Sequence, residues 1–315
     1  MKAIVHRRYG PPESLRLEEL ERPQVGDEDV LVRVRAVGLN PADWHVMRGT
    51  PRIARLMVGL RRPKQLVPGV DVAGIVEEVG ASVTALRPGD EIFGARSGSL
   101  AELVVGGKNF LPKPSGLSFE QAGAVAVAGC TALQALRDKA HLQSGQRVLV
   151  NGAAGGVGTF AVQIAKSLGA HVTGVCSTRN VELVRSLGAD QVVDYTVDDF
   201  TRAAKPYDVV LDLIGNHPPS KVRRILTPKG TAIFIGGEAG MRRLLAMLAL
   251  NLFVGQHLLT FVAKINVDDL AALGELMESG KVQTVIDRTY PLAETPEAMQ
   301  YLEAGHAQGK VVVIL

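Results

Sequence analysis

Residues 150–166 read VNGAAGGVGTFAVQIAK, four glycines set between the apolar run RVLV (147–150) and a helix-length segment. A turn of small residues at that junction exposes the unpaired N–H groups and positive dipole end of the helix, so a pyrophosphate can approach closely. Gly155, Gly156 and Gly158 supply the approach, with Ala154 and Val157 in the same turn. The pattern is an imperfect GxGxxG, because Ala153 holds the first position, and it gains its weight from lying after a strand and before a helix. The plainer alternative is a tight turn in which Gly158 only lets the helix pack on the sheet.

The flanking pattern supports a dinucleotide site. Beyond residue 145, apolar runs (RVLVNG, HVTGVC, QVVD, YDVVLDL, TAIFIGG) alternate with helix-length segments, the mark of a doubly wound parallel α/β sheet. Before it, KAIVHRR, DVLVRVRAVGL, VDVAGIVEEVG, DEIFG and AELVV, separated by Gly and Pro, read as a barrel of short strands. The closing GKVVVIL is an apolar strand suited to pair with that β domain. The expected division is 1–121 for the β domain, 122–261 for the dinucleotide-binding domain, and 262–315 for a return to the first.

Composition narrows the class. With 315 residues, 46% hydrophobic and 21% charged, the chain describes a folded globular protein of two domains. A net charge of +3 argues against nucleic acid as partner. Cys130 and Cys176 are far apart and outside any CxxC, which fits a reducing compartment, and the interleaved charges of MKAIVHRRYG suggest no secretory signal. A cytoplasmic location is the expectation. LLAMLALNLFVGQHLLTF (244–261), after Arg242 and Arg243, is interrupted by Asn251, Gly255, Gln256 and His257 and reads as a buried helix followed by a buried strand. In TPRIARLMVGLRRPK (50–64), Ile53, Leu56, Met57 and Leu60 fall at helical spacing among basic residues. A solvated helix packed by one face is favoured there; a flap over the substrate or a surface touching anionic membrane stays open.

The cofactor is chosen at the end of the second parallel strand, where an NAD site usually carries an acid ~20 residues past the glycines. Here stand Cys176, Ser177, Thr178 and Arg179. Two hydroxyls can donate to a 2′-phosphate and the guanidinium can pair with it, so NADPH is expected. The competing roles are a helix N-cap for Ser177 or Thr178 and a solvated first-turn Arg179.

Five stretches in order, AVGLNPADWHVMRG, VPGVDVAGIVEEVG, GCTALQAL, AAGGVG and GKVVVIL, resemble the medium-chain dehydrogenase/reductase superfamily along the whole chain. Within it the chain is similar to the zinc-free quinone oxidoreductases of the zeta-crystallin type, near the subgroup of chloroplast-envelope quinone oxidoreductase homologues and reticulon-interacting oxidoreductases. The resemblance implies a GroES-like β-barrel domain interrupted by a Rossmann domain. It also implies cofactor contacts from Asn40 and Thr131, from Tyr195 beside the adenosine phosphate, and from Lys310 at the cofactor phosphates; Ile214, Gly215, Ile235 and Gly236 follow strands at their carboxyl ends. One departure is Leu100, where relatives often carry Tyr.

Zinc alcohol dehydrogenases of that superfamily hold their catalytic metal at positions aligned with Asn40, Val70 and Val127, and valine cannot ligate zinc. Without a Lewis acid, reduction of an electrophilic quinone or α,β-unsaturated carbonyl is favoured over alcohol oxidation. Asn40 is the candidate catalytic group, set against a role in tying down the turn before Pro41. Asp43 and His45 read as a helix cap and a structural histidine. The expected partners are a small quinone or enone and a second copy in a homodimer, with peripheral membrane contact not favoured. The alternatives are a non-catalytic NADPH-binding protein of structural or regulatory role, or a reductase of aldehydes/alcohol dehydrogenase.

Overall fold

The computed structural model describes residues 1–52, 55–236, 241–252 and 254–315, without the side chains of 241–245. Along the chain run β1 (Lys2–Val5), β2 (Arg16–Glu19), β3 (Val30–Leu39), β4 (Asp71–Val79), β5 (Glu91–Ala95), β6 (Leu103–Gly106) and β7 (Phe110–Pro112). Then come β8 (Arg147–Asn151), β9 (His171–Cys176), β10 (Gln191–Asp194), β11 (Tyr207–Asp212), β12 (Leu226–Phe234), β13 (His257–Leu259), β14 (Ile286–Pro291) and β15 (Lys310–Ile314). The helices that matter below are α1 (Pro41–Arg48), α2 (Arg55–Val58), α3 (Phe119–Ala122), α4 (Ala126–Leu133) and α5 (Gly156–Ser167). Two compact units result: 1–130 with 265–280 and 284–315, and 131–264 with 281–283.

The first unit is built on a mixed sheet of order β14-β15-β3-β4-β5-β7, with β6 also on β3, and a separate β1–β2 hairpin. In β3, Arg33 and Arg35 face out while Val32 and Val34 are buried, the alternation of a half-covered strand, and Ala36–Leu39 is buried on both faces. The terminal strand β15 does join this β unit, antiparallel to β3 with Val313 opposite Val37. The core gathers Val32, Val72, Ile92, Val311 and Val313, and Leu100 is a fully buried member of it.

The second unit is a six-stranded parallel sheet of order β10-β9-β8-β11-β12-β13. The chain winds outward from β8 in one direction and from β11 in the other, so the strand order reverses between them, and ligands of such sheets bind beyond the carboxyl ends at that point. Leu149, Val175, Val210 and Phe234 form its core.

The unit boundaries differ from 1–121, 122–261 and 262–315. The first unit runs on to Cys130 because the Val127 N–H, at the start of α4, donates to Asp71 Oδ1 at 2.8 Å. Residues 281–283 go with the second because Gln163 Nε2 donates to the Gln283 carbonyl (3.0 Å) and the Gln283 N–H returns a bond to Gln163 Oε1 (2.9 Å). The 244–261 stretch is a helix, Met241–Asn251, and then β13; Leu248 (56%) and Leu252 (80%) are exposed, so the helix is less covered than expected. Phe253 and Ile53 lie outside the described residues. Among the described residues no helix is long and apolar enough to cross a membrane.

Candidate active site

In the second unit the glycine-rich turn stands at the carboxyl end of β8, with Gly155 as the N-cap of α5. Helix geometry leaves the N–H groups of Gly156, Val157 and Gly158 without intrahelical acceptors, aimed off the end of the sheet. The glycines are there for different reasons. A Cβ on Gly158 would sit 2.1 Å from the Gly152 carbonyl oxygen, so packing alone demands glycine. Gly155 has an ordinary extended backbone (φ −83°, ψ 176°), and its Cβ would meet nothing nearer than 3.4 Å. The fold does not require glycine at 155, whereas a pyrophosphate lying on the helix N-terminus does. The turn therefore fits a dinucleotide.

The neighbouring strand ends complete the cradle. Asn151, at the end of β8, donates from Nδ2 to Asp212 Oδ1 (2.8 Å) and Asn216 Oδ1 (3.1 Å), across the point where strand order reverses. Asp212 Oδ1 also accepts from the Gly215 N–H (2.8 Å), which shapes the Ile214–Gly215 turn. A Cβ on Gly152 would strike the Ile214 side chain, so the two turns touch. Ile235 is anchored by its N–H to the Asp212 carbonyl (2.8 Å), ahead of Gly236 at φ +93°. Asn151, Asp212 and Asn216 escaped the sequence reading; the signal was polar side chains closing two apolar parallel strands, VLVN and VVLD.

Ser177, Thr178 and Arg179 follow β9, with Thr178 and Arg179 exposed. Ser177 makes no side-chain cap. The absence of a nearby carboxylate is corrected: Asp194 ends the adjacent strand β10 in register with Cys176. Thr178 and Thr196 hydroxyls lie 2.9 Å apart, and Thr196 donates to Asp194 Oδ1 from both its N–H (2.9 Å) and its hydroxyl (2.7 Å). Hydrogen bonds from Thr178 and Thr196 hold that carboxyl below its usual range. Thr178 is thus engaged with this group, and the Ser177 hydroxyl accepts from Asn180 Nδ2 at 3.3 Å. Tyr195 is 55% exposed beside them, and Thr131 is buried.

In the first unit the structure gathers Asn40, Asp71, Val127 and Lys310. Lys310 is only 2% exposed and its Nζ donates to the Leu39 carbonyl (3.0 Å), Asn40 Oδ1 (2.5 Å) and Asp71 Oδ2 (3.3 Å). An ammonium has three N–H donors, and all are spent. Lys310 consequently differs from the expected phosphate contact. Asn40 Nδ2 donates to the Gly38 carbonyl and Asp71 Oδ2, both at 3.1 Å, so it offers no donor to a substrate oxyanion, and the catalytic reading of Asn40 is corrected to a structural one. Asp43, buried in the first turn of α1, accepts from the Asn40 N–H through Oδ2 (2.8 Å), as a cap should. Burial pushes its carboxyl up to about 7; the Asn40 N–H opposes this, the Asp71 charge adds to it and Lys310 counters it. His45 stacks on Trp44 with ring centroids 3.7 Å apart.

Against this geometry, residues 26–105 match the family "Alcohol dehydrogenase GroES-like domain" and residues 187–313 the family "Zinc-binding dehydrogenase". The Bos taurus mitochondrial NAD(P)H oxidoreductase RTN4IP1 is 35% identical over 99% of this chain and 89% of its own. The chain belongs to the medium-chain dehydrogenase/reductase superfamily. An Arabidopsis thaliana chloroplastic protein named NADPH-dependent alkenal/one oxidoreductase is 34% identical over 99% of this chain and 79% of its own. The solved quinone oxidoreductase of Coxiella burnetii superposes with a TM-score of 0.89 at 31% identity, covering 100% of this chain and 99% of that one. These medium-chain relatives also correct the cytoplasmic expectation, since the two curated ones are named mitochondrial and chloroplastic. Cys130 and Cys176 are buried and not joined in a disulfide, which fits any reducing compartment, so composition did not separate such compartments.

Two outcomes follow. Gly155→Ala should weaken NADPH binding at least about tenfold (~1.4 kcal/mol) while costing under about 1 kcal/mol of stability; Gly158→Ala should cost about 1–3 kcal/mol or more in urea unfolding. Equal stability losses would remove the distinction between the two glycines. For Asp43, a carboxyl raised in the folded state binds more protons than the unfolded chain between its ordinary value and about 7, so its contribution to stability declines as pH rises through that window. Asp43→Asn, which keeps the acceptor, should melt above the native protein at pH 8, with the difference closing by about pH 4. A constant difference across pH would refute the assignment.

Proposed function

We propose that this chain, a medium-chain oxidoreductase of nicotinamide cofactors, binds NADPH and reduces quinones or α,β-unsaturated carbonyl compounds without zinc. The observation that carries the reading is the Gly155 cradle at the reversal point of the sheet, a glycine without a structural reason beside a strand end carrying Ser177 and Arg179. When bound, the nicotinamide supplies a hydride. The chain's part is to hold the pyrophosphate on the first turn of α5, to let Arg179 and the Ser177 hydroxyl pair with the 2′-phosphate, and to fix the ring side through the turns at 214–215 and 235–236. Val70 and Val127 have no donor atom, and the remaining position of the old metal triad, Asn40, is tied to Gly38, Asp71 and Lys310. That donor set is unsuited to a Lewis acid, which favours acceptors that are already electrophilic. The alkenal/one and quinone names of the relatives support the same substrate class.

A panel of ortho-quinones, short enones, aldehydes and alcohols, followed at the NADPH absorbance, tests this directly. Quinones and enones should oxidise NADPH readily, alcohols should not reduce NADP at a comparable rate, and Arg179→Ala should weaken NADPH by ~1.5–3 kcal/mol with NADH nearly unchanged. Preferred turnover of alcohols would overturn the reductase reading, and equal losses for both cofactors would assign Arg179 to the fold.

A further inference from the structure

Residues 44–70 hold six of the 35 Lys and Arg residues and none of the 32 Asp and Glu, so this segment alone exceeds the chain's net charge of +3. Beyond the end of α1 at Arg48, the single turn of α2 is its only α-helical part among the described residues, and three of its apolar side chains are not packed against a face as the sequence suggested: Leu56 is 69%, Met57 81% and Leu60 67% exposed. The loop is nevertheless held in place. Arg55 Nε donates to the Gly49 carbonyl (2.9 Å) and its guanidinium lies 4.4 Å over the Tyr9 ring. The Tyr9 hydroxyl donates to the Gly59 carbonyl (2.5 Å), and the Lys64 N–H closes the turn on the Val58 carbonyl (2.8 Å). Thus three large apolar side chains are displayed to water on an anchored loop, where collapse onto the unit would have buried them. Arg52, Arg61, Arg62 and Lys64 are exposed around them, and Arg7, Arg61, Arg62 and Lys64 line an open pocket of about 710 Å³ beside Leu60 and Leu66.

We propose that this loop docks the protein on anionic phospholipid bilayers, with Leu56, Met57 and Leu60 entering the headgroup–acyl boundary and Arg61, Arg62 and Lys64 pairing with lipid phosphates. Charge complementarity selects that occupant. A protein surface would need a carboxylate for each of several clustered cations, whereas an anionic leaflet supplies phosphates at any spacing together with an apolar layer beneath them. The cations without the apolar tip would give only screened adsorption, and the apolar tip without the cations would not distinguish lipid charge. Among the nearby basic residues, Arg7 pairs with Glu18 and Arg48 with Glu303, which leaves the loop's own cations as the binding charge.

The test is co-sedimentation of the full chain with phosphatidylcholine vesicles, with and without about a third phosphatidylglycerol. The protein should pellet with anionic vesicles at low salt, partition far less as salt rises, and stay in solution with neutral vesicles. R61E/R62E should lower partitioning by about thirtyfold or more, and L56S/M57S by about tenfold at every salt concentration. Circular dichroism verifies the folds, and a Met57→Trp reporter quenched by brominated lipid reads insertion even where a double variant folds poorly. Native protein that remains soluble with anionic vesicles, partitioning unmoved by both double variants, or a reporter left unquenched would each overturn the proposal. So would L56S/M57S dissociating a dimer in sedimentation velocity while vesicle binding stays unchanged, because the face would then belong to a second copy.

Discussion

The first unit depends on one buried ion pair, Lys310 with Asp71, at 2% and 0% side-chain exposure. Two charges so far from water are costly to desolvate, and their attraction offsets that cost only when every remaining lone pair and proton is satisfied. Here they are. Lys310 also reaches the Leu39 carbonyl and Asn40, and the second oxygen of Asp71 accepts from the Val127 N–H. One cation at the start of β15 thereby fixes the end of β3, the start of β4, the entry to α1 and, through Asp71, the entry to α4. Asp43 shares the enclosure, and its carboxyl is raised first by burial and to a lesser degree by the Asp71 charge.

The second unit uses a different economy. Its site is made of backbone, with helix N–H groups, strand ends and glycines held by the parallel ladder, and its few side-chain bonds, such as Asn151 to Asp212, shape turns. Gly158 is fixed by its own fold, whereas at Gly155 the fold leaves room for a Cβ. That difference is invisible in the letters GGVG and becomes plain once a Cβ is placed at each position.

Much of the fold was legible because it is periodic. The change near residue 145 from short strands to alternating strand and helix marks the parallel sheet, and GKVVVIL is apolar enough to require burial between neighbours, which it has beside β3. The glycine turn and the strand-end glycines Gly215 and Gly236 were legible because the local backbone specifies them. The role of Lys310 was not, since its partners Asn40 and Asp71 lie 270 and 239 residues away in sequence. Even so, a lysine opening VVVIL and an aspartate inside VDVAGIV are lone charges in apolar strands, and each needs a partner of opposite sign. Asp194 was overlooked because it belongs to a neighbouring strand, and proximity across a ladder is not proximity in sequence. The 56–60 apolar residues have helical spacing, which says which side chains align and not whether anything covers them.

The decisive measurement is a double-mutant cycle in urea on Lys310→Met and Asp71→Leu. Each single change strands a buried partner and should cost about 3–5 kcal/mol, while the double change removes both charges and should cost no more than about one single change. That result would establish the pair as the organising contact of the first unit. Additive losses, or singles that unfold no more easily than the native chain, would contradict it and return Lys310 to the role of a basic residue available to a phosphate.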